Sequence, residues 1–481
     1  MLRSIARPRR NYSVTRNVWN FLSGKNDNSL ELANTDPKIF DSPFKVNYLS
    51  PIERKRELSV LPNGVRVFSE TPALPGPVTV SLMFEVGSAN ETAETSGALL
   101  SIKSTYYKTH LKTNETINYA MVEMSGGKYD MDYNRESSIF KASCLSHDVS
   151  DIVSMMADCA MEPRSSVSAN VAIAQMEHQR KVFHAKNPGL KDTDLILSQI
   201  YGASGLGMPL YGNPDNTVYL NAQTLQTFQI ANNSPKKLII GGLGVENHNE
   251  FVCMVGSIFD SIAQTEAYEP PKPKFTEIDI KNVDATAHKN EIYLLFESAS
   301  SKHPDFIRAH LAKELFGSAD VTNPLCQIKN NGLIVRDLYS KDKSIYAAET
   351  FYLHFKETGI FGFRLSSSVD HTNQNIDSVV KLIKSIDSLS EEALATAKKR
   401  LVRKIIESVE DDYSRITEMS NHYSNFGDFK LDAMIHEIKA VNLKDLAAFV
   451  KKTVKGKSGV YVRGPAPNQV YNIHKLKELL K

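Results

Sequence analysis

Three observations predict an α+β fold built twice over, with two homologous domains that are each a mostly antiparallel sheet packed with helices. Runs of period-two alternation are interleaved with runs of helical period in both halves of the chain. The same order of signals recurs 221 residues downstream, where Ile139-Phe140 returns as Ile360-Phe361, and Asn221, Leu225 and Phe228 return as Asn442, Leu446 and Phe449. Between the copies lies Glu269-Pro270-Pro271-Lys272-Pro273-Lys274, whose prolines make a stiff, extended join. The 481 residues exceed what one ordinary core holds, and two domains of a little over two hundred residues suit the length.

The elements follow in order. Residues 1–26 carry Arg3, Arg7, Arg9, Arg10, Arg16 and Lys25 with no acid and with Ser4, Ser13 and Ser23, the composition of a mitochondrial targeting segment. Val14, Val18 and Leu22 stand at helical spacing, with Pro8 interrupting any helix begun at Met1. Arg10-Asn11-Tyr12-Ser13 resembles a presequence cleavage pattern, which places the cut between Tyr12 and Ser13; a retained segment would instead serve as a docking arm. Residues 27–57, with Pro37, Pro43 and Pro51, form an extended arm. A first domain over 58–265 opens on two short strands joined by Asn63-Gly64, a hairpin signal. The run Val78, Val80, Leu82, Phe84, Val86 alternates with Thr79, Ser81, Met83 and Glu85, which predicts a half-buried strand. A strand over 138–145 precedes a helix with Val149, Ile152, Val153 and Met156 on one face. After a linker at 266–285, the second domain (286–481) opens on the strand of Ile292, Leu294 and Phe296, and Ile376, Val379, Val380 and Ile383 repeat the earlier helical spacing at a shift of 227.

Composition excludes several classes. A net charge of +2, with six basic residues and no acid before residue 27 and therefore −4 on the remainder, argues against a nucleic-acid binder. Cys144, Cys159, Cys253 and Cys326 lack Cys-x-x-Cys or zinc-finger spacing and read as reduced, buried residues. No apolar run reaches the roughly 20 residues of a spanning helix, so any membrane association is expected to be peripheral. There is no Gly-x-Ser-x-Gly elbow, and Gly202 to Gly207 lacks the Lys and Ser or Thr of a phosphate loop, which leaves a turn. None of the 13 His has a His partner four residues on.

The stretch Gly87 to Thr109 carries the most information. Its strand ending in Gly87-Ser88, followed by Glu91, Gly97 and a helix, and later by Gly126-Gly127 and Arg135-Glu136, resembles the inverted-zincin family of processing peptidases and their relatives, the respiratory core proteins. In active members the helix carries His-x-x-Glu-His, which holds zinc and activates a water. The resemblance places Leu100 and Ser104 at the two His positions and Lys103 at the Glu. Leu has no lone pair, a Ser hydroxyl is a poor zinc ligand, and a Lys ammonium repels the metal. The second carboxylate ligand of active members is expected near Gln175-Met176-Glu177-His178, where Glu177 without the His pair reads as a solvated helix residue. No metal, no cofactor and no catalytic residue are therefore expected.

The resemblance, which covers about Leu58 to Pro465, implies two homologous domains forming half of a bowl-shaped dimer. It leaves two silent roles. One is a core 2-like subunit of respiratory complex III on the matrix side of the mitochondrial inner membrane, pairing with a core 1 or β-type subunit beside the other complex III subunits. The other is the α, substrate-recognition subunit of the mitochondrial processing peptidase, possible within the same complex. The α subunit uses a glycine-rich loop to present substrate, and the matching stretch here, Leu315 to Leu325, holds one glycine in Gly317-Ser318-Ala319-Asp320. A loop without a run of glycines lacks the backbone freedom of a mobile gate, which favours the core-protein role.

Overall fold

Alternating, β-branched and aromatic residues build the central strands of two six-stranded sheets. The computed structural model describes residues 54–72, 76–105, 115–161, 169–186, 189–260, 268–321, 332–340 and 344–481. The first half runs β1 (Arg56–Val60), β2 (Arg66–Glu70), β3 (Val78–Phe84), α1 (Ala98–Ser104), α2 (Glu115–Met124), β4 (Lys128–Tyr133), β5 (Ser138–Cys144), α3 (Val149–Met161), α4 (Ala169–Lys186), α5 (Leu190–Tyr201), α6 (Ala222–Asn232), β6 (Leu238–Leu243) and α7 (His248–Phe259). The second runs β7 (Asp279–Val283), β8 (Asn290–Ser298), α8 (Phe306–Phe316), β9 (Ser318–Asp320), β10 (Ile345–His354), β11 (Gly359–Ser367), α9 (Thr372–Lys384), α10 (Glu391–Glu407), α11 (Asp412–Phe426), α12 (Leu431–Ala440), α13 (Leu443–Lys455), β12 (Ser458–Gly464) and α14 (Ile473–Leu480).

The sheets are copies of one pattern. The order β2-β6-β3-β5-β4 in the first returns as β7-β12-β8-β11-β10 in the second, and β1 and β9 extend opposite edges. All pairs are antiparallel except β2 with β6 and β7 with β12, the same place in each copy. The expected hairpin is β1–β2, with Leu58 opposite Phe68. The helical register of the repeat differs from the pattern reading. The buried positions 149, 152, 153, 156 and 160 of α3 return at 372, 375, 376, 379 and 383 of α9, a shift of 223, so Val149 corresponds to Thr372 rather than to Ile376. Period-3.6 patterns repeat after one turn, and a slip of four residues preserves the apolar face. Part of the stretch read as linker is also sheet, since Asp279–Val283 pairs with Val460–Gly464.

Each half lends a helix to the other. On one face of the first sheet lie α1, α3 and α7, and on one face of the second lie α8, α9, α10, α12 and α13. The remaining face of the first sheet is covered by Ile416, Met419 and Tyr423 of α11, from the second half. Ile196, Leu197 and Ile200 of α5 cover the corresponding face of the second sheet. Consequently β3 is buried on both faces, in contrast to the half-buried strand predicted, and Ser81 on its polar face meets Ser420 of α11 at 3.1 Å. Small hydroxyl residues let a helix approach closely while satisfying their own hydrogen bonds. Ion pairs fix the exchange. Buried Glu70 of β2 accepts from Arg415 at 2.8 Å and from Arg56 at 2.8 Å. Asp192 of α5 accepts from the Tyr461 hydroxyl at 2.9 Å and from Arg463 Nη2 at 3.1 Å. Glu53–Lys481 form one compact unit as a result.

Candidate functional site

The helix α1 starts where its sequence permits a tight entry. Gly87 passes so close to the β4–β5 turn that a Cβ there would lie 2.1 Å from the Arg135 carbonyl carbon. Two strand-like bonds result, Ser88 N–H to Asn134 O at 3.1 Å and Ala89 N–H to Arg135 O at 2.9 Å. The buried Glu91 carboxyl then accepts from the N–H groups of Gly97 at 2.8 Å and Leu99 at 2.9 Å, the first turn of α1. Burial pushes its pKa up to about 8 against the pull of these two bonds. Arg135, also buried, donates to Leu206 O at 3.2 Å, to Met208 O and to the Asp194 carboxylate, which ties the turn to α5 and to the Gly202–Gly207 stretch. That stretch is the turn its sequence suggested.

Leu100, Lys103 and Ser104 lie on α1 with three different fates. Leu100 is fully buried in an apolar cluster with Met176 and Leu220, flanked by Tyr133 and Tyr211. Ser104 donates its hydroxyl to Leu100 O at 2.7 Å within the helix. Lys103 pairs with Asp132 on β4, and its ammonium stands 5.3 Å from the centre of the Phe183 ring. Opposite α1, α4 presents Met176 and not Glu177. Met176 is 1% exposed against Leu100, whereas Glu177 is exposed to solvent. Methionine in an i, i+4 row with Arg180 explains this, since Arg180 donates to Tyr211 O at 3.1 Å and turns that face of α4 inwards.

These side chains do not fit a zinc ion. Leu100 offers no donor, Ser104 spends its proton on the backbone, and Lys103 puts a cation where a base would stand. Among the described residues no three His, Cys, Asp or Glu are grouped to hold a metal.

The other singled-out residues are placed as follows. Gly317, with φ of 74°, closes α8 by donating its N–H to Lys313 O at 2.9 Å. Ser318, Ala319 and Asp320 are strand β9, paired with Glu349, Ala348 and Ala347, so this part of the expected loop is an edge strand. Thr322 to Leu325, like Tyr12 and Ser13, lie outside the described residues. Sequence reading missed one feature, a cavity of about 660 Å³ between the halves. Its wall includes Phe306, His310, His354 and Phe426, with the two imidazoles 5.2 Å apart between ring centres. Burial, reinforced by His354 and Lys313, pushes His310 down to about 3, which keeps the ring neutral at neutral pH. Residues 44 positions apart on a helix and a strand give no spacing signal in the sequence.

With the geometry in place, the comparisons with known proteins decide the family. The family described as "Insulinase (Peptidase family M16)" matches residues 66–213, and "Peptidase M16 inactive domain" matches residues 219–401. The chain belongs to the M16 peptidase family. Within that family it is 24% identical to the mitochondrial-processing peptidase subunit alpha of Solanum tuberosum, over 91% of this chain and 87% of the relative. Identity to the alpha subunit of Caenorhabditis elegans is 22%, over 94% and 93%, and to the beta subunit of Neurospora crassa it is 21%, over 86% and 89%. Among solved structures, a chain of "Complex III2 from Candida albicans, Inz-5 bound" superposes with a TM-score of 0.71 at 15% identity, over 88% of this chain and 99% of that one.

Proposed function

We propose that the chain is a non-catalytic core 2-like subunit of respiratory complex III, on the matrix side of the mitochondrial inner membrane. It pairs with a core 1 or β-type subunit as half of a bowl-shaped dimer and needs no cofactor of its own. The observation that carries this reading is the replacement of metal chemistry by packing at the M16 helix. Leu100, Lys103 and Ser104 occupy the zinc-motif positions, Leu100 is sealed against Met176, and Lys103 is neutralised by Asp132. The likeness to a complex III chain and to subunits of mitochondrial peptidases supports the assembly and the compartment. Among the described residues no helix is long and apolar enough to cross a membrane, in keeping with peripheral association. The organisation we propose is a targeting segment over 1–26, an arm that ends where β1 begins, a first domain from β1 to about residue 265, a linker that ends where β7 begins and a second domain from β7 to residue 481, with cleavage between Tyr12 and Ser13.

A second reading rests on the α subunits among the relatives, which align along most of the chain. In that reading the chain supports presequence cleavage by a zinc-bearing β partner. The stretch Gly317 to Asp320, paired into the sheet, stands against a mobile gate there. Mixing the chain with a β-type subunit and a presequence peptide separates the two roles: cleavage at the rate of the β subunit alone supports the scaffold, and stimulated cleavage supports the α role.

A further inference from the structure

The exposed beginning of α5, where it lies on the second sheet, heads a small cavity of about 170 Å³. The helix is 12 residues long and starts after Gly189 with no side-chain cap, so its first N–H groups lack intrahelical acceptors and carry the positive end of the helix dipole. Two side chains from the second half converge on this end. A Cβ built on Gly189 would lie 3.3 Å from the Tyr293 hydroxyl and 3.5 Å from Arg364 Nη1. Tyr293 is 4% exposed, and its hydroxyl has no hydrogen-bond partner among the described residues. A buried phenol without a partner carries an uncompensated desolvation cost, which a ligand oxygen would relieve. Burial raises the Tyr293 pKa, so the group stays protonated and able to donate.

The surroundings define the charge and size of the guest. Arg364 is shared with Glu291, 3.3 Å from Nε, and with the more exposed Glu349, 3.7 Å from Nη1. One further negative charge can replace Glu349, whereas a dianion would face Glu291, Glu349 and Asp192 of the first turn of α5, which Arg463 and Tyr461 hold. Beyond the polar end the wall is Ile196, Leu295, Phe351 and Ile360. At about 30 Å³ for each water in the liquid, the cavity has room for five or six non-hydrogen atoms.

We propose that this cavity binds a small monocarboxylic acid, its carboxylate on the first N–H groups of α5, the Tyr293 hydroxyl and Arg364, and its short alkyl chain against Ile196, Leu295 and Ile360. The site is formed only where the helix of one half meets the sheet of the other, so occupancy favours the joined arrangement of the halves. It is independent of which assembly the chain enters.

Butyrate is the probe, with butanol and inorganic phosphate as controls, titrated against the full chain and followed by saturation-transfer NMR. Saturable butyrate binding is expected, about ten-fold weaker in Tyr293→Phe, weaker in Gly189→Ala, and tighter in Glu349→Gln, where the competing carboxylate is gone. Tyr293→Phe keeps the ring and its packing and removes an unpaired hydroxyl, so a melting temperature no lower than that of wild type separates loss of binding from loss of fold. Absence of saturable butyrate binding overturns the proposal. So does equal binding by wild type and Tyr293→Phe, or binding of phosphate or butanol as tight as that of butyrate.

Discussion

Rebuilding the zinc motif tests the packing argument in detail. Leu100→His removes a fully buried aliphatic side chain whose burial contributes about 1.5–3 kcal/mol, and it buries an imidazole among Met176, Leu220 and two tyrosines. An unpaired polar group there costs about 1–3 kcal/mol more. The single change should therefore destabilise by about 2.5–6 kcal/mol, measurable as a lower urea midpoint at constant slope. Adding Lys103→Glu sets a carboxylate against Asp132, and adding Ser104→His completes the motif without the third ligand. The triple variant should hold no stoichiometric zinc. Met176→Glu, and not the native Glu177, supplies a carboxylate facing position 100, so the quadruple variant should bind zinc and regain about 2.7 kcal/mol at a zinc concentration 100 times its dissociation constant. One tightly held zinc per chain in the triple variant would refute the assignment of Met176 as the facing residue.

Further perturbations address the joints between the halves. Arg415→Ala leaves Glu70, 2% exposed, with the more exposed Arg56 and Arg54 as its remaining partners, and should destabilise by about 2–4 kcal/mol in urea unfolding. Burial alone would raise the Glu70 carboxyl, but Arg415 and Arg56 hold it below its usual value. Its contribution is thus complete above the unfolded carboxyl pKa of about 4.3 and fades as pH falls through the lower folded value, a loss that should shrink in Arg415→Ala. His310 works at milder acidity. The unfolded ring takes up a proton below about pH 6.5 and the folded ring only near about 3, so stability falls across that window as pH drops. His310→Phe, among Phe306 and Tyr352, should flatten this limb by up to about 1.4 kcal/mol per pH unit, read from urea midpoints at a series of pH values.

The duplication, the hairpin at Asn63-Gly64 and the central strands were legible because strand alternation and turn residues are local signals. The helix exchange was not. Thr79 and Ser81 read as a solvent face since a polar residue against water and a small hydroxyl against a packed helix look alike in one sequence. The register of α9 against α3 was misplaced by one turn for a related reason, as amphipathic patterns survive a slip of four residues. At the site, the α1 positions could be read from the frame of Gly87-Ser88, Glu91 and Gly97, but a helix neighbour is set by rotation, and Met176 and Glu177 differ by a single step of about 100°. The cavity between the halves and the α5 end needed the fold itself, because their walls come from both halves of the chain.

The central claim is that an M16 chain without metal chemistry serves as a structural subunit of a respiratory assembly. Native purification of the chain from mitochondria with an absorption spectrum tests it most directly. Co-migration with b- and c-type haem in constant ratio is the predicted result. A haem-free dimer with a zinc-bearing β-type subunit that cleaves presequence peptides would contradict it.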